Sequence, residues 1–202
     1  MLLKQLDAII LIGLPGSGKS THCHSLQKSR PDLVRISTDI FIGMQASHKN
    51  ITYNQAFEQY FRDSESYCHT MFRYLVHDNS SFIWDQTNLL AAKRRDILSQ
   101  IPSTYRKIGY YFDFDPDTIR KRLFWREQAN PSKIIPEHLF NAFAEAMEEP
   151  TLDEGFDQLF YVGSDIVLVP DPKAEKKAEK PASGAVSVPA PANTGKTAGK
   201  VA

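Results

Sequence analysis

No stretch of the sequence approaches the run of about 18 apolar residues that a membrane span needs. The hydrophobic share of 42% is enough for a packed core and too low for a membrane protein. At the N-terminus one lysine, Lys4, precedes the strand-like segment Asp7 to Ile12. The charged, apolar and small-residue stretches of a secretory signal do not follow in order, so a cytosolic location is expected. Cysteine is scarce as well. Cys23 and Cys68 each fall in a helix-like pattern without metal-ligand spacing, which predicts two buried, reduced thiols rather than a disulfide or zinc framework. Among the six histidines no pair is spaced i, i+4, and none is assigned to a metal.

Net charge is also missing, with 24 basic residues against 24 acidic ones. The whole-chain balance therefore carries no electrostatic footprint of a nucleic-acid binder. The distribution is uneven, since residues 171–202 hold six lysines and three acids and leave residues 1–170 at net −3. From Asp171 onward the chain is built mainly of Pro, Ala, Lys, Gly, Ser and Thr, with no aromatic residue. Such a segment buries too little apolar surface to offset its ordering entropy. The expected organisation is one domain over residues 1–170 and a disordered tail over 171–202. No internal repeat is visible.

What is present is an alternation of strand-like and helix-like segments. Ala8-Ile9-Ile10-Leu11-Ile12 is a continuous apolar run, as in a strand covered on both faces. A helix is predicted from Gly18 to about Lys28, then a short strand from Leu33 to Ser37. Tyr53 to Leu75 repeats apolar residues at i, i+3 and i+4. Its aromatic stripe is expected to be core rather than a base-stacking platform. Phe82 to Asp85 and Lys107 to Phe114 read as strands, and Leu90 to Ile101 as a helix between them. Further helices are predicted from Asp115-Pro116 to about Glu127 and from Ile135-Pro136 to about Met147. Two short strands, Gln158 to Val162 and Ile166 to Val169, close the pattern. This alternation implies an α/β fold with a parallel sheet and right-handed crossovers.

Gly13-Leu14-Pro15-Gly16-Ser17-Gly18-Lys19-Ser20 fits G-x-x-x-x-G-K-[ST] without departure. It follows the first strand and opens the first helix, as a phosphate-binding loop does. Glycines there let backbone N–H groups converge on phosphate oxygens. The helix points its positive end at the same charge. Lys19 would reach the β- and γ-phosphates, and Ser20 would offer a hydroxyl to Mg²⁺. ATP·Mg²⁺ is the expected ligand.

Asp39 follows the second strand, at the carboxyl edge where ligands of open α/β sheets bind. There it could orient an attacking hydroxyl and take its proton; capping the following segment is the alternative. Asp85 ends an apolar strand and could hold the metal's water shell. Asn88, just beyond, reads equally as a site residue or a turn residue. Arg122 and Arg126 are i, i+4 on one helix face beside Arg120 and Lys121, and suit a helical lid over transferred phosphate. Lys93, Arg94 and Arg95 read equally as a polyanion contact or an exposed run.

These marks together resemble the P-loop kinases related to the kinase domain of bacteriophage polynucleotide kinase, a group that also holds zeta-toxin-like ATP-binding kinases. The resemblance covers roughly residues 8 to 162. It runs through Ile12 to Thr21, Ile36-Ser-Thr-Asp39, Asp85-Gln-Thr-Asn88 with Arg94-Arg95, Arg122 and Arg126, and Glu149-Pro150 with Glu154-Gly-Phe-Asp157. It implies a P-loop NTPase fold with four or five parallel strands, helices on both faces and a helical lid. It implies that Asp39 is the general base, that Lys19 and Arg126 neutralise the transferred phosphoryl group, and that Arg122 contacts nucleotide phosphates. Where the family's 5′-end kinases carry an acceptor-gripping arginine three residues after the base, this sequence has Ile42; Thr38 replaces a second arginine. The implied acceptor is a nucleic-acid hydroxyl, either a 5′ end or the hydroxymethyl group of a modified pyrimidine in phage DNA. A phage-encoded chain would act in the host cytoplasm. A small-metabolite kinase and a non-catalytic ATP-binding switch are the competing readings.

Overall fold

The computed structural model describes residues 5–129, 131–163 and 166–168. The first strand, β1 (Leu6–Ile12), leads through the glycine-rich loop into α1 (Lys19–Ser29). Then come β2 (Val34–Ile36), α2 (Thr38–Lys49), α3 (Tyr53–His77), β3 (Phe82–Asp85) and α4 (Ala91–Ser99). The chain continues through β4 (Tyr105–Phe112), α5 (Pro116–Ala129), α6 (Glu137–Glu145), β5 (Gln158–Val162) and β6 (Ile166–Leu168). The sheet order is β2-β3-β1-β4-β5-β6. The first five strands are parallel, and β6 runs antiparallel to β5. The expected four or five parallel strands are therefore five, extended by an antiparallel edge strand. The expected tail, residues 171–202, lies outside the described residues.

The continuous apolar run of β1 has two destinations. Ala8, Ile10 and Ile12 enter a core with Cys68 and Phe72 of α3 and Ile97 of α4. Ile9 and Leu11 enter a second core on the opposite face with Cys23 of α1 and Leu33. Alternation of side chains along a strand makes this split obligatory. A fully buried Ile or Leu contributes about 1.5–3 kcal/mol, so β1 alone anchors both layers. A third cluster, Leu14, Leu89, Ile119, Leu123 and Phe140, seats α5 and α6 over the glycine-rich loop. Among the described residues no helix is long and apolar enough to cross a membrane.

Two elements depart from the sequence pattern. The helix α2 follows β2 almost directly, carries Asp39 in its first turn, and was not expected. It contains Gly43 and buries Ile42 alone among its residues, so it lacks the apolar stripe that would reveal it. In α3 the stripe divides. Ala56, Ser64, Cys68, Phe72 and Leu75 are buried, while Phe57 and Phe61 are 39% and 38% exposed. The N-terminus of α3 is fixed by a capping box of Thr52 and Gln55. Both cysteines are buried and unpaired, and burial pushes each thiol up to about 11.

Candidate active site

The glycine-rich loop lies at the carboxyl end of β1, between β3 and β4 in the sheet. Two of its glycines are required by geometry. Gly18 caps α1 at φ 103°, in the left-handed region. Gly16 has φ 84°, and a Cβ there would lie 2.6 Å from Leu123 Cδ2 of α5. Leu14 and Ser17 are buried, Pro15 is half-buried, and Thr21 is exposed on the first turn of α1. The loop is braced from the segment just after β3, where Gly13 N donates to the carbonyl of Thr87 at 2.9 Å. Asn88, fully buried and with φ 48°, donates from Nδ2 to the carbonyl of Leu11 at 2.7 Å. Of its two readings, Asn88 fits the turn residue.

Lys19 is folded back over the loop. Its Nζ donates to the carbonyls of Gly13 (2.8 Å) and Leu14 (2.7 Å). Burial lowers its pKa to about 8, against the opposing pull of Asp85 and Asp39. The ammonium group thus sits among carbonyls, partly desolvated, where a triphosphate would offer stronger acceptors.

Ser20 donates from Oγ to Asp85 Oδ2 at 3.2 Å. The Arg35 guanidinium also lies on this pair, donating to Asp85 Oδ2 from Nε (2.8 Å) and Nη2 (2.5 Å), and from Nη2 to Ser20 Oγ (3.1 Å). A hydroxyl and a carboxylate oxygen converging where a cation already rests form a donor set that suits Mg²⁺. Among the described residues there is no group of three or more His, Cys, Asp or Glu side chains that could hold a metal unaided.

Asp39 lies in the first turn of α2. Its Oδ1 accepts from the Tyr53 hydroxyl, and its Oδ2 pairs with Lys133 Nζ at 2.5 Å. The same Nζ stands 4.3 Å over the Tyr53 ring. Burial alone would raise the Asp39 carboxyl. The Lys133 charge and the hydrogen bonds from Lys133 and Tyr53 outweigh it and hold the group below its ordinary value. Neither partner was expected. Tyr53 was assigned to the apolar stripe, and Lys133 lies in the connection from α5 to α6, a few residues beyond the lid arginines.

Those arginines take different positions. Arg122 Nη1 donates to the carbonyl of Ser17 at 3.2 Å, and its guanidinium lies 4.1 Å from the Phe114 ring centroid. Arg126 Nη2 donates to the carbonyl of Lys133 at 3.3 Å, while its Nε is buried without a hydrogen-bond partner among the described residues. Arg120 braces α5 against α6 through Asn141 (2.8 Å) and the Phe140 ring.

Arg94 does not belong to an exposed basic run. It is fully buried and forms a two-pronged pair with Glu154 at 2.6 and 2.7 Å. It also donates to the carbonyls of Asn88 (3.0 Å) and Leu89 (2.6 Å). An acceptor contact by Arg94 is thereby excluded. Arg95 is exposed, and Lys93 donates to Gln86 Oε1 at 3.0 Å.

The family model described as AAA domain matches residues 9–150, which span the loop, both aspartates and the lid. The chain belongs to this AAA domain family. Among the curated proteins none matches it. Solved structures share the fold of this family member. A chain of the Pnkp1/Rnl/Hen1 RNA repair complex is 21% identical with a TM-score of 0.58, over 72% of this chain and 45% of that one. The family member thus spans less than half the length of that protein. A chain of the PezAT chromosomal toxin-antitoxin system of Streptococcus pneumoniae is 16% identical, with a TM-score of 0.57, over 90% of this chain and 75% of that one. A fungal RNA kinase is 17% identical, with a TM-score of 0.51, over 80% and 76%. The resemblance thus holds for a P-loop fold: the family is that of the AAA domain model, and the likeness to these solved structures is one of fold.

Proposed function

We infer that the protein is an ATP-dependent kinase that transfers the γ-phosphoryl group to a hydroxyl of a nucleic acid. The observation that carries the phosphotransfer reading is the placement of Lys19 at the start of α1 and Asp39 in the first turn of α2, both just beyond the carboxyl ends of parallel strands, with the Asp39 charge felt by Lys19. In this reading the carboxyl edge of the sheet supplies a cation for the transferred phosphate and a carboxylate for the attacking hydroxyl's proton. In this reading Gly13 to Thr21 bind the triphosphate, and Ser20 and Asp85 hold Mg²⁺. The metal would neutralise charge on the phosphates when bound. Arg122 lies against the loop for nucleotide phosphates, and Arg126 brings from the lid an Nε that has no partner among the described residues. The acceptor oxygen bonds to the γ-phosphorus, the bond from that phosphorus to ADP breaks, and the hydroxyl proton goes to Asp39.

The nucleic-acid acceptor is favoured by the family resemblance and by fold likeness to a fungal RNA kinase and an RNA-repair protein. Ile42 is completely buried. A grip by that residue on a phosphate near a strand end is not available, so the modified-base acceptor stands beside the 5′ end. The test is incubation with γ-labelled ATP and three DNAs: 5′-hydroxyl, 5′-blocked and 5-hydroxymethyluracil-containing. Label in the first alone identifies an end kinase, and label in the third alone a base kinase. No label in any of the three, nor in a matching 5′-hydroxyl RNA, would remove the nucleic-acid reading. The net charge of −3 over residues 1–170 favours a small-metabolite kinase as the second reading. Stabilisation by a metabolite together with an ATP analogue in a thermal-shift screen would then identify the acceptor.

A further inference from the structure

The lid connection is tied to α3 at two points and to α5 at a third. Asn54 N donates to the carbonyl of Ser132 at 3.3 Å, and Asn54 Nδ2 to that of Ile134 at 3.4 Å. Arg126 holds the carbonyl of the residue between them, Lys133. These ties deliver the Lys133 ammonium to Asp39 Oδ2, with the Tyr53 hydroxyl on the other carboxylate oxygen. Both oxygens of the expected base are therefore engaged. Yet the cluster is not sealed, since the Asp39 side chain is 42% exposed and that of Lys133 is 28% exposed. The Lys133 charge is also felt by Lys19 of the glycine-rich loop.

A kinase has a problem that this arrangement addresses. An ionised base beside the γ-phosphate activates water as readily as an alcohol, and water is always present. We propose that Lys133 is a guard on Asp39: it pairs with the carboxylate while no acceptor is present, suppressing ATP hydrolysis, and yields it to the incoming acceptor hydroxyl. An acceptor that fills the space beside Asp39 displaces the ammonium group toward the phosphoryl group, where a cation is useful. Water is too small to displace it. In the suppressed reaction, water would lose its proton to Asp39, its oxygen would bond to the γ-phosphorus, and ADP would leave. The proposal rests on the reading of Asp39 as base and goes beyond it by assigning Lys133 a control role.

The test uses the full chain with Mg²⁺·ATP and no acceptor, so that acceptor identity is not required. Hydrolysis is measured for the wild type, Lys133→Met, Lys133→Arg, Asp39→Asn and the Lys133→Met/Asp39→Asn double variant, with binding of a fluorescent ATP analogue measured in parallel. A positioned general base is worth about 10²–10⁴ in rate, so its release is expected to raise hydrolysis tenfold or more in Lys133→Met. Lys133→Arg should stay near wild type, and the double variant should fall back to the level of Asp39→Asn. Hydrolysis in Lys133→Met at or below the wild-type rate, with analogue binding intact, overturns the guard. A fast double variant also overturns it, because Lys133 would then act through some other group. If Lys133→Met does not fold, Lys133→Gln is read the same way. Failure of the guard with Asp39→Asn still abolishing transfer leaves the kinase reading standing. Full transfer activity in Asp39→Asn removes both.

Discussion

Removing the Arg94 guanidinium should damage the whole domain rather than an acceptor interaction. Arg94 and Glu154 have side-chain exposures of 0% and 1%, so neither charge can be rescued by water. Truncating one member of such a pair costs about 3–5 kcal/mol, mostly because the other charge is left buried and alone. In Arg94→Met, Glu154 keeps its capping bond from Thr151 N but loses both guanidinium contacts. The carbonyls of Asn88 and Leu89 lose a donor as well, at about 1–3 kcal/mol for each one left unsatisfied. These costs overlap, and a total of about 4–6 kcal/mol is expected. For a domain of this size each kcal/mol lowers the midpoint by about 2–4 °C, giving a fall of about 10–20 °C. Urea unfolding followed by circular dichroism measures the free energy, and calorimetry the midpoint. Glu154→Gln should lose slightly less, because the amide oxygen can still accept from Arg94. A loss below about 1 kcal/mol in Arg94→Met would refute the buried-pair argument. So would unchanged stability with a selective loss of nucleic-acid affinity, since that is the signature of a surface contact.

The other predictions concern the site. Asp39→Asn should lower transfer by about 10²-fold or more while leaving affinity for an ATP analogue unchanged, as read by kcat and by direct titration. Gly16→Ala should abolish nucleotide binding in a fluorescence titration, because its Cβ would lie 2.6 Å from Leu123 Cδ2 at a φ of 84°. The Lys133 charge and hydrogen bond help to hold the Asp39 carboxyl below its ordinary value. Burial, which raises it, is unopposed by that charge in Lys133→Met. The acid limb of the transfer rate against pH should then move to higher pH in the variant, because the carboxylate protonates earlier as pH falls. An unchanged or lowered limb would mean that Lys133 does not govern that group.

Most of the strands and helices could be read from the sequence because they bury continuous or periodic surface. The run Ala8 to Ile12 has one burial pattern and one fold context, and β5 lies where its residues suggested. The glycine-rich loop was equally legible, since positive φ and close backbone approach restrict its positions to glycine. The second helix, α2, was not legible, because it buries Ile42 alone and relies on α3 for the rest of its support. Arg94 misled for a related reason. Its neighbours Lys93 and Arg95 are charged, but a helix turns 100° per residue and sent this one side chain into the core. Its partner Glu154 lies sixty residues away on a short 3₁₀ turn, a distance at which sequence pattern carries no signal.

The residues the sequence did not reveal share a property. Arg35, Tyr53 and Lys133 are held in the site by the functional groups themselves: Arg35 by Asp85 and Ser20, and Tyr53 and Lys133 by Asp39. Motif reading finds residues whose backbone or spacing is constrained, and these three are constrained by charge instead. Each anionic group at the site is met by a cation of the chain, while Lys19 rests on two carbonyls. Leaving the buried Asp85 without a counterion would be costly, and Asp39 is held in an ion pair as well, so each group keeps a protein partner until a ligand replaces it. A ligand that enters must therefore compete with internal ion pairs, and only one that offers replacement charge on both sides can do so at little cost. A nucleotide accompanied by a cation meets that condition, and a free phosphate does not. Residue 42 takes no part in this competition. That side chain is buried in the core, and the groups nearest the expected base are a phenol and an ammonium from the next helix and the lid, which a motif at the end of β2 does not report.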